Sequence, residues 1–368
     1  MVKGLYVHLP FCTKKCPYCH FFVIKDATSK KDQLLTALLD HHKTLHLPSS
    51  EIASLYFGGG TPTLFGLKRF ETLLAAINPR EEIEVTIEAN PETITFDLMK
   101  GLRSLGINRV SIGVQSLIDL ELKILGRTHT ARESEIAVKA AAKAGFDNIT
   151  IDLMMELPHQ TLESFETTLD RALDLPITHL SLYNLTFEES TPFYRKRKQL
   201  QKACPSSSVG KEMLDLAIAR IEGAGLKRYE ISAFAKEGQE AVHNSRYWRG
   251  EPFEALGPSA FGYIDGRRFR NHRNFPKYID AIKNGQSPID FEETLLDNER
   301  INELLMVELR LFKGVDLDEF AKRHGPIPHK THQSLDSLVK DGYLEENERI
   351  RLTERGRLFY DTVAEAII

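Results

Sequence analysis

The chain has 368 residues, 42% hydrophobic and 27% charged, enough to bury a sizeable core and long for a single domain, so two are expected. Lys plus Arg number 48 against 52 Asp plus Glu, a net charge of −4, which argues against a chain whose first task is to coat nucleic acid or an anionic membrane. No apolar run approaches the roughly 18 residues of a membrane span, and the opening MVKGLYVHLPFC lacks the apolar stretch and cleavage site of a secretory leader, so a soluble, cytoplasmic protein is expected.

In chain order, short β-branched or apolar runs alternate with longer segments of helical period, the rhythm of an α/β fold. LYVHL (5–9), SLYF (54–57), EVTIE (84–88), RVSIG (109–113), NITID (148–152) and HLSLY (179–183) read as six strands. Between them, KDQLLTALLDHH, TFDLMKGLRSLG, ESEIAVKAAAKAG and LESFETTLDRALDL are amphipathic, with Gly106 and Gly145 where a helix C-cap wants positive φ. The order predicts parallel strands joined by right-handed helical crossovers, in a barrel-like or doubly wound sheet. From about residue 296 the pattern changes. Helical stretches NERINELLMVELRL, DLDEFAKRHG and THQSLDSLVKDG precede two short strands, YLEEN and RIRLT, a winged-helix-like α+β order. Residues 300–368 hold 11 Lys plus Arg against 13 Asp plus Glu, so the footprint of a DNA reader is missing and no nucleic-acid partner is expected. The divisions expected are a barrel over 1–235, a connecting segment over 236–295 and a C-terminal domain over 296–368.

Residues capable of chemistry fall at the carboxyl ends of the expected strands. Cysteines follow the first; Gly58, Gly59, Gly60, Thr61 and Pro62 follow the second; Glu88, Ala89 and Asn90 end the third. The fourth runs into Gln115, the fifth carries Asp152 and the sixth ends near Asn184 and Thr186. In a β/α barrel these ends open on one face, where such folds assemble their active sites. The sharpest signal is Cys12-Thr13-Lys14-Lys15-Cys16-Pro17-Tyr18-Cys19, three soft thiols on one short loop. They suit an iron–sulfur cluster, or zinc if His8 or His20 completes a Cys3His set. Three thiolates on a four-iron cubane leave one iron open, which a ligand bearing an amine and a carboxylate can chelate.

This C-x3-C-x2-C loop after the first strand resembles the radical S-adenosylmethionine (SAM) superfamily. YVHLPFC, FGGGTPT, EANP, SIGVQS, LGRTH and IDLM resemble its coproporphyrinogen-oxidase-like branch. The resemblance implies a partial (β/α)6 TIM-like barrel with a winged-helix-like C-terminal α+β domain. It implies a [4Fe–4S] cluster on Cys12, Cys16 and Cys19, with SAM on the fourth iron. Gly59, Gly60 and Thr61 would meet the SAM amine, and Arg127 would grip its carboxylate. Glu88, Gln115, Asp152 and Thr186 would bind the rest of the molecule, with Tyr6 and Tyr18 beside cluster and adenine. Where many relatives read Gly before Leu or Ile and Pro, this chain has Glu156-Leu157-Pro158.

Two kinds of protein share the branch. Oxygen-independent coproporphyrinogen III oxidases, which decarboxylate propionates, carry a fourth Cys two residues after the third and a longer N-terminal arm; here Phe21 stands at that position. HemW-type heme chaperones carry HNxxYW, matched by His243-Asn244-Ser245-Arg246-Tyr247-Trp248. That match implies a chaperone that binds heme and passes it to an acceptor haemoprotein, a respiratory and even membrane-associated one included, without membrane insertion and with homodimer formation as an option. The oxidase is the alternative. His243 offers an imidazole for heme iron, and the stretch from Arg267 to Arg273 offers cations for heme propionates.

Overall fold

Each of the six apolar runs is a strand in the computed structural model, which describes residues 3–368; Met1 and Val2, at the head of the opening read for a leader, lie outside the described residues. β1 (Lys3–Leu9), β2 (Ile52–Gly59), β3 (Glu84–Ala89), β4 (Arg109–Gln115), β5 (Asn148–Met155) and β6 (His179–Asn184) lie side by side in that order, all parallel. Helices Thr28–Thr44, Leu67–Ile77, Phe96–Ser104, Ala131–Lys143 and Leu162–Leu173 form the crossovers. Their apolar faces bury one side of strands that are Leu-, Ile- and Val-rich throughout, as a sheet covered on both faces requires. Local chemistry agrees with this plan. Thr130 and Glu133 close a capping box at the start of Ala131–Lys143, and Gly106 and Gly145 end their helices at positive φ.

The sheet runs on beyond the six strands. Next to β6 come the short antiparallel strands Ala233–Ala235 and Lys227–Arg228. Next to β1 comes Phe253–Leu256, parallel to it, then Phe261–Ile264, Arg267–Asn271 and Ile289–Thr294, antiparallel. The stretch 236–295 therefore adds four strands to the barrel's own sheet. Among the described residues the outermost strands, Ile289–Thr294 and Lys227–Arg228, do not pair with each other, and the barrel stays open.

The tail follows the order expected: helices Asp297–Glu308, Leu317–His324 and His329–Lys340, then the hairpin Leu344–Glu346 with Ile350–Leu352. Two helices that the pattern did not single out, Glu354–Leu358 and Tyr360–Ile367, complete it. Val363 and Ile367 enter a core shared with Leu305, Leu309 and Phe320, separate from that of the barrel. No helix among the described residues is long and apolar enough to cross a membrane.

Candidate functional site

The cysteine loop leaves β1 at Pro10 and is drawn closed by a two-residue parallel pairing, Phe11–Cys12 with Ile24–Lys25. The Asp26 amide donates to the Cys12 carbonyl at 3.0 Å, and the Cys19 amide to the Cys16 carbonyl at 3.2 Å. Its far side is held by the Phe193 amide, which donates to the Pro17 carbonyl at 3.0 Å, and by Tyr18 packed on the Phe193 ring at 6.2 Å. So folded, the loop lies over the carboxyl ends of the strands. Cys12, Cys16 and Cys19 line one cavity of about 430 Å³ together with Tyr18, Gly59, Gly60, Glu88, Gln115, Arg127, Asp152 and Thr186. Eleven of the fourteen residues singled out from the sequence thus meet at one opening.

Thr61 lies just behind the wall, its hydroxyl 3.6 Å from Cys12 Sγ and accepting from Asn90 Nδ2 at 2.9 Å. The glycine run is required by space. Gly59 has φ +115, and a Cβ there would sit 2.7 Å from the His8 ring; one on Gly60 would sit 2.5 Å from the Phe11 carbonyl oxygen. Gln115 reaches the cavity through a register shift between Gly113 and Gln115 and a positive φ of 69°, a bulge that re-aims a strand-end side chain. Glu156, at the family's glycine position, has φ 60°, a region glycine adopts without cost, and accepts from Asn184 Nδ2 at 2.8 Å.

The floor is charged. Arg127 Nη2 donates to Asn90 Oδ1 and to the Gly113 carbonyl, both at 2.8 Å, and Nη1 approaches Cys16 Sγ at 3.7 Å. Its Nε is buried without a partner among the described residues. Burial pushes the Glu88 carboxyl up to about 7, with repulsion from Asp152 adding and hydrogen bonds from the Tyr56 hydroxyl (2.8 Å) and the Gly59 amide (3.0 Å) opposing. Burial also raises Asp152, opposed by hydrogen bonds from Ser181 and Ser111. Ser111 and Tyr56 were not singled out from the sequence, and Asn90, named at the end of its strand in the EANP run, was given no role.

The residues fit the groups the resemblance implies. Three soft thiols on one wall suit a cluster whose irons each take a separate thiolate. Among the described residues no three His, Cys, Asp or Glu side chains gather closely enough to hold one metal ion, as zinc with its ligands at about 2.0–2.3 Å would need. His8 could not complete a zinc site in this arrangement, because the Tyr6 hydroxyl and the Phe22 carbonyl lie 3.0 Å from its two ring nitrogens. The unpartnered Arg127 Nε and the glycine cradle suit an amino acid moiety such as that of SAM.

Tyr6 and His243 are not among the residues of this cavity. Tyr6 lines a neighbouring one. For His243 the expectation of an available heme ligand is corrected. The side chain is 1% exposed, Ser54 Oγ lies 2.8 Å from Nδ1, the Tyr247 hydroxyl 2.5 Å from Nε2, and the ring stacks on Tyr56 at 5.0 Å. Burial pushes its pKa down to about 3. Its helix, Val242–Trp248, is a clasp. Glu84 accepts from the amides of Val242 and His243, both at 2.9 Å, while Trp248 lies under Arg310 of the tail at 4.3 Å. We expect His243→Ala to cost about 2–4 kcal/mol in denaturant unfolding, from the lost packing and two stranded hydroxyls. The arginine stretch is largely spoken for: Arg267 pairs with Glu292 at 2.9 Å, and Arg268 with Glu293 and Glu303 at 2.6 Å.

Comparison with known proteins agrees with this geometry. Residues 6–172 match the model of the radical SAM superfamily, and residues 295–359 that of the HemN C-terminal domain. The chain is 32% identical to the heme chaperone HemW of Bacillus subtilis, covering 100% of this chain and 99% of that protein. It is 32% identical to that of Escherichia coli, covering 99% and 98%. Similar too is a mitochondrial radical S-adenosyl methionine domain-containing protein 1 from Dictyostelium discoideum, 32% identical over 99% of this chain and 94% of that one. Among solved structures, coproporphyrinogen III oxidase (HemN) from Escherichia coli superposes with a TM-score of 0.85 over 100% of this chain and 90% of that one; at 24% identity this likeness speaks to the fold. A cysteine loop over a six-stranded partial barrel, matched end to end by relatives of this kind, puts the chain in the radical SAM superfamily, to which it belongs through the group of HemW relatives.

Proposed function

We propose that this chain is a heme chaperone, binding heme and passing it to an acceptor haemoprotein while carrying a [4Fe–4S] cluster and SAM. The observation that carries the reading is identity near 30% with several HemW heme chaperones over essentially the whole chain. In this reading Cys12, Cys16 and Cys19 hold the cluster. Arg127 takes the SAM carboxylate, and Glu88 with the backbone at Gly59 and Gly60 takes its amine. Gln115, Asp152 and Thr186 take the remaining polar groups, with Tyr18 packed beside them. Bound there, the cluster supplies one-electron chemistry toward the SAM sulfonium. The protein's part is to orient SAM, keep water from the cavity and hold the charges of its amine and carboxylate. The acceptor, in this reading, is a haemoprotein of the respiratory kind, met from the cytoplasm, with a homodimer as an accompanying state.

The test is a pair of assays on reconstituted protein kept under anaerobic conditions. Heme titration should give a saturable Soret change, and the heme should leave for an added apo-haemoprotein. Incubation with reductant, SAM and coproporphyrinogen III should yield no protoporphyrinogen. Absence of saturable heme binding would defeat the reading, and turnover of coproporphyrinogen would replace it with the oxidase.

A further inference from the structure

Beside the cluster cavity, between the cysteine loop and the strands that extend the sheet from β1, lies a second cavity of about 410 Å³. Neither cluster nor SAM accounts for it. Tyr6, Phe22, Tyr247 and Phe253 form its aromatic walls. At its mouth Phe21 and Phe261 remain 53% and 49% exposed, two large apolar side chains brought to one opening, as at ligand grooves.

Two guanidinium groups line the same opening. Arg270 is fixed in place: Asp290 holds Nη2 at 2.9 Å and Nε at 3.0 Å, while the rings of Phe261 and Phe291 lie 5.7 and 5.8 Å from its guanidinium carbon. Its Nη1 has no hydrogen-bond acceptor among the described residues. The Arg273 amide donates to Asp290 Oδ2 at 3.0 Å, but its guanidinium has no carboxylate partner among the described residues; its Nη2 donates to the His20 carbonyl at 3.4 Å. Three histidines lie in or near these walls. His8 and His243 have both ring nitrogens engaged. His20 is exposed, its ring makes no hydrogen bond among the described residues, and it lines both this cavity and the cluster cavity.

Flat aromatic walls, two guanidinium groups at the rim and one available imidazole match a planar apolar macrocycle that carries carboxylates and a metal centre. We propose that heme sits in this second cavity, with His20 as its axial ligand, Arg270 and Arg273 on its propionates, and Phe21 and Phe261 against its ring. The proposal rests on the heme-chaperone reading and moves the ligand from the HNxxYW motif to the residue after Cys19.

Ferric heme titration of reconstituted full-length protein tests it, with iron, sulfide and far-UV circular dichroism checked on each variant. His20→Ala should shift the Soret band and weaken binding about tenfold or more, and added imidazole should restore the wild-type spectrum, a rescue that a purely structural role would not show. Arg270→Gln with Arg273→Gln should weaken heme binding about tenfold, the scale of a lost charge-assisted hydrogen bond. Heme dimethyl ester should bind the wild type as weakly as heme binds the double variant, and should bind that variant no worse than the wild type. If wild type binds heme saturably while all these variants match it in affinity and spectrum, the seat is wrong and the chaperone reading stands. If wild type does not bind heme, both fall. Should His20→Ala lose its cluster, the ester comparison on the arginine variants still decides.

Discussion

Replacing any one of Cys12, Cys16 and Cys19 with alanine is expected to abolish cluster assembly, leaving reconstituted protein nearly free of iron and sulfide and without the brown colour. The three thiols line one wall of the cavity, and among the described residues no fourth Cys shares that wall: Cys204 lies elsewhere, with Sγ donating to the Leu200 carbonyl at 3.4 Å. Cys204→Ala therefore keeps its full iron content. Acidity adds a second expectation. Burial pushes the Cys12 thiol up to about 11, opposed by its hydrogen bond to Thr61, and burial raises Cys19 as well. Thiolate ligation must release these protons, so cluster yield should rise between about pH 7 and 9. Full iron and sulfide content in any of the three alanine variants would sink the assignment.

Glu88→Gln is expected to weaken SAM binding about tenfold or more, the loss of a charge-assisted contact to the amine, while making the SAM-free protein more stable at pH 8. The two effects share one cause. Burial, with Asp152 close by, lifts the Glu88 pKa to about 7 from the ordinary 4.5. Between those values the folded chain holds a proton that the unfolded chain has lost, so this group's contribution to stability falls as pH rises through that window. Glutamine removes the dependence: variant and wild type should differ least near pH 4.5, and the advantage of the variant should grow toward pH 8 in denaturant unfolding. SAM affinity runs the other way. An ammonium group needs the carboxylate, so wild-type affinity should fall as pH drops below about 7 and the affinity of the variant should not. Equal unfolding curves at pH 8, or unchanged SAM affinity, would remove Glu88 from the amine site. A stability cost of this sort is common where a site is arranged for a ligand rather than for the empty fold.

Much of this was readable from local pattern. Six apolar runs became six parallel strands, because continuous Val, Ile and Leu stretches between amphipathic helices have few other ways to be buried. Strand-end positions located the cavity for the same reason, since parallel β/α units present every carboxyl end on one face. Asn90 was named at its strand end but given no role, because nothing in its immediate neighbours shows that it bridges Arg127 and Thr61, the one 37 and the other 29 residues distant.

Sequence alone determined the order of parallel β/α units, the cysteine loop after the first strand and the change of pattern near residue 296, because hydrophobic period and close spacing are short-range properties. Tertiary structure alone decided what the histidines can do. His243 meets Ser54 from 189 residues away and gives up its lone ring positions to buried hydroxyls, while His20 keeps its own. It also decided that 253–294 continues the sheet and walls a second cavity. A side chain's availability depends on which distant groups satisfy its hydrogen bonds, and that is settled only when the strands are laid side by side.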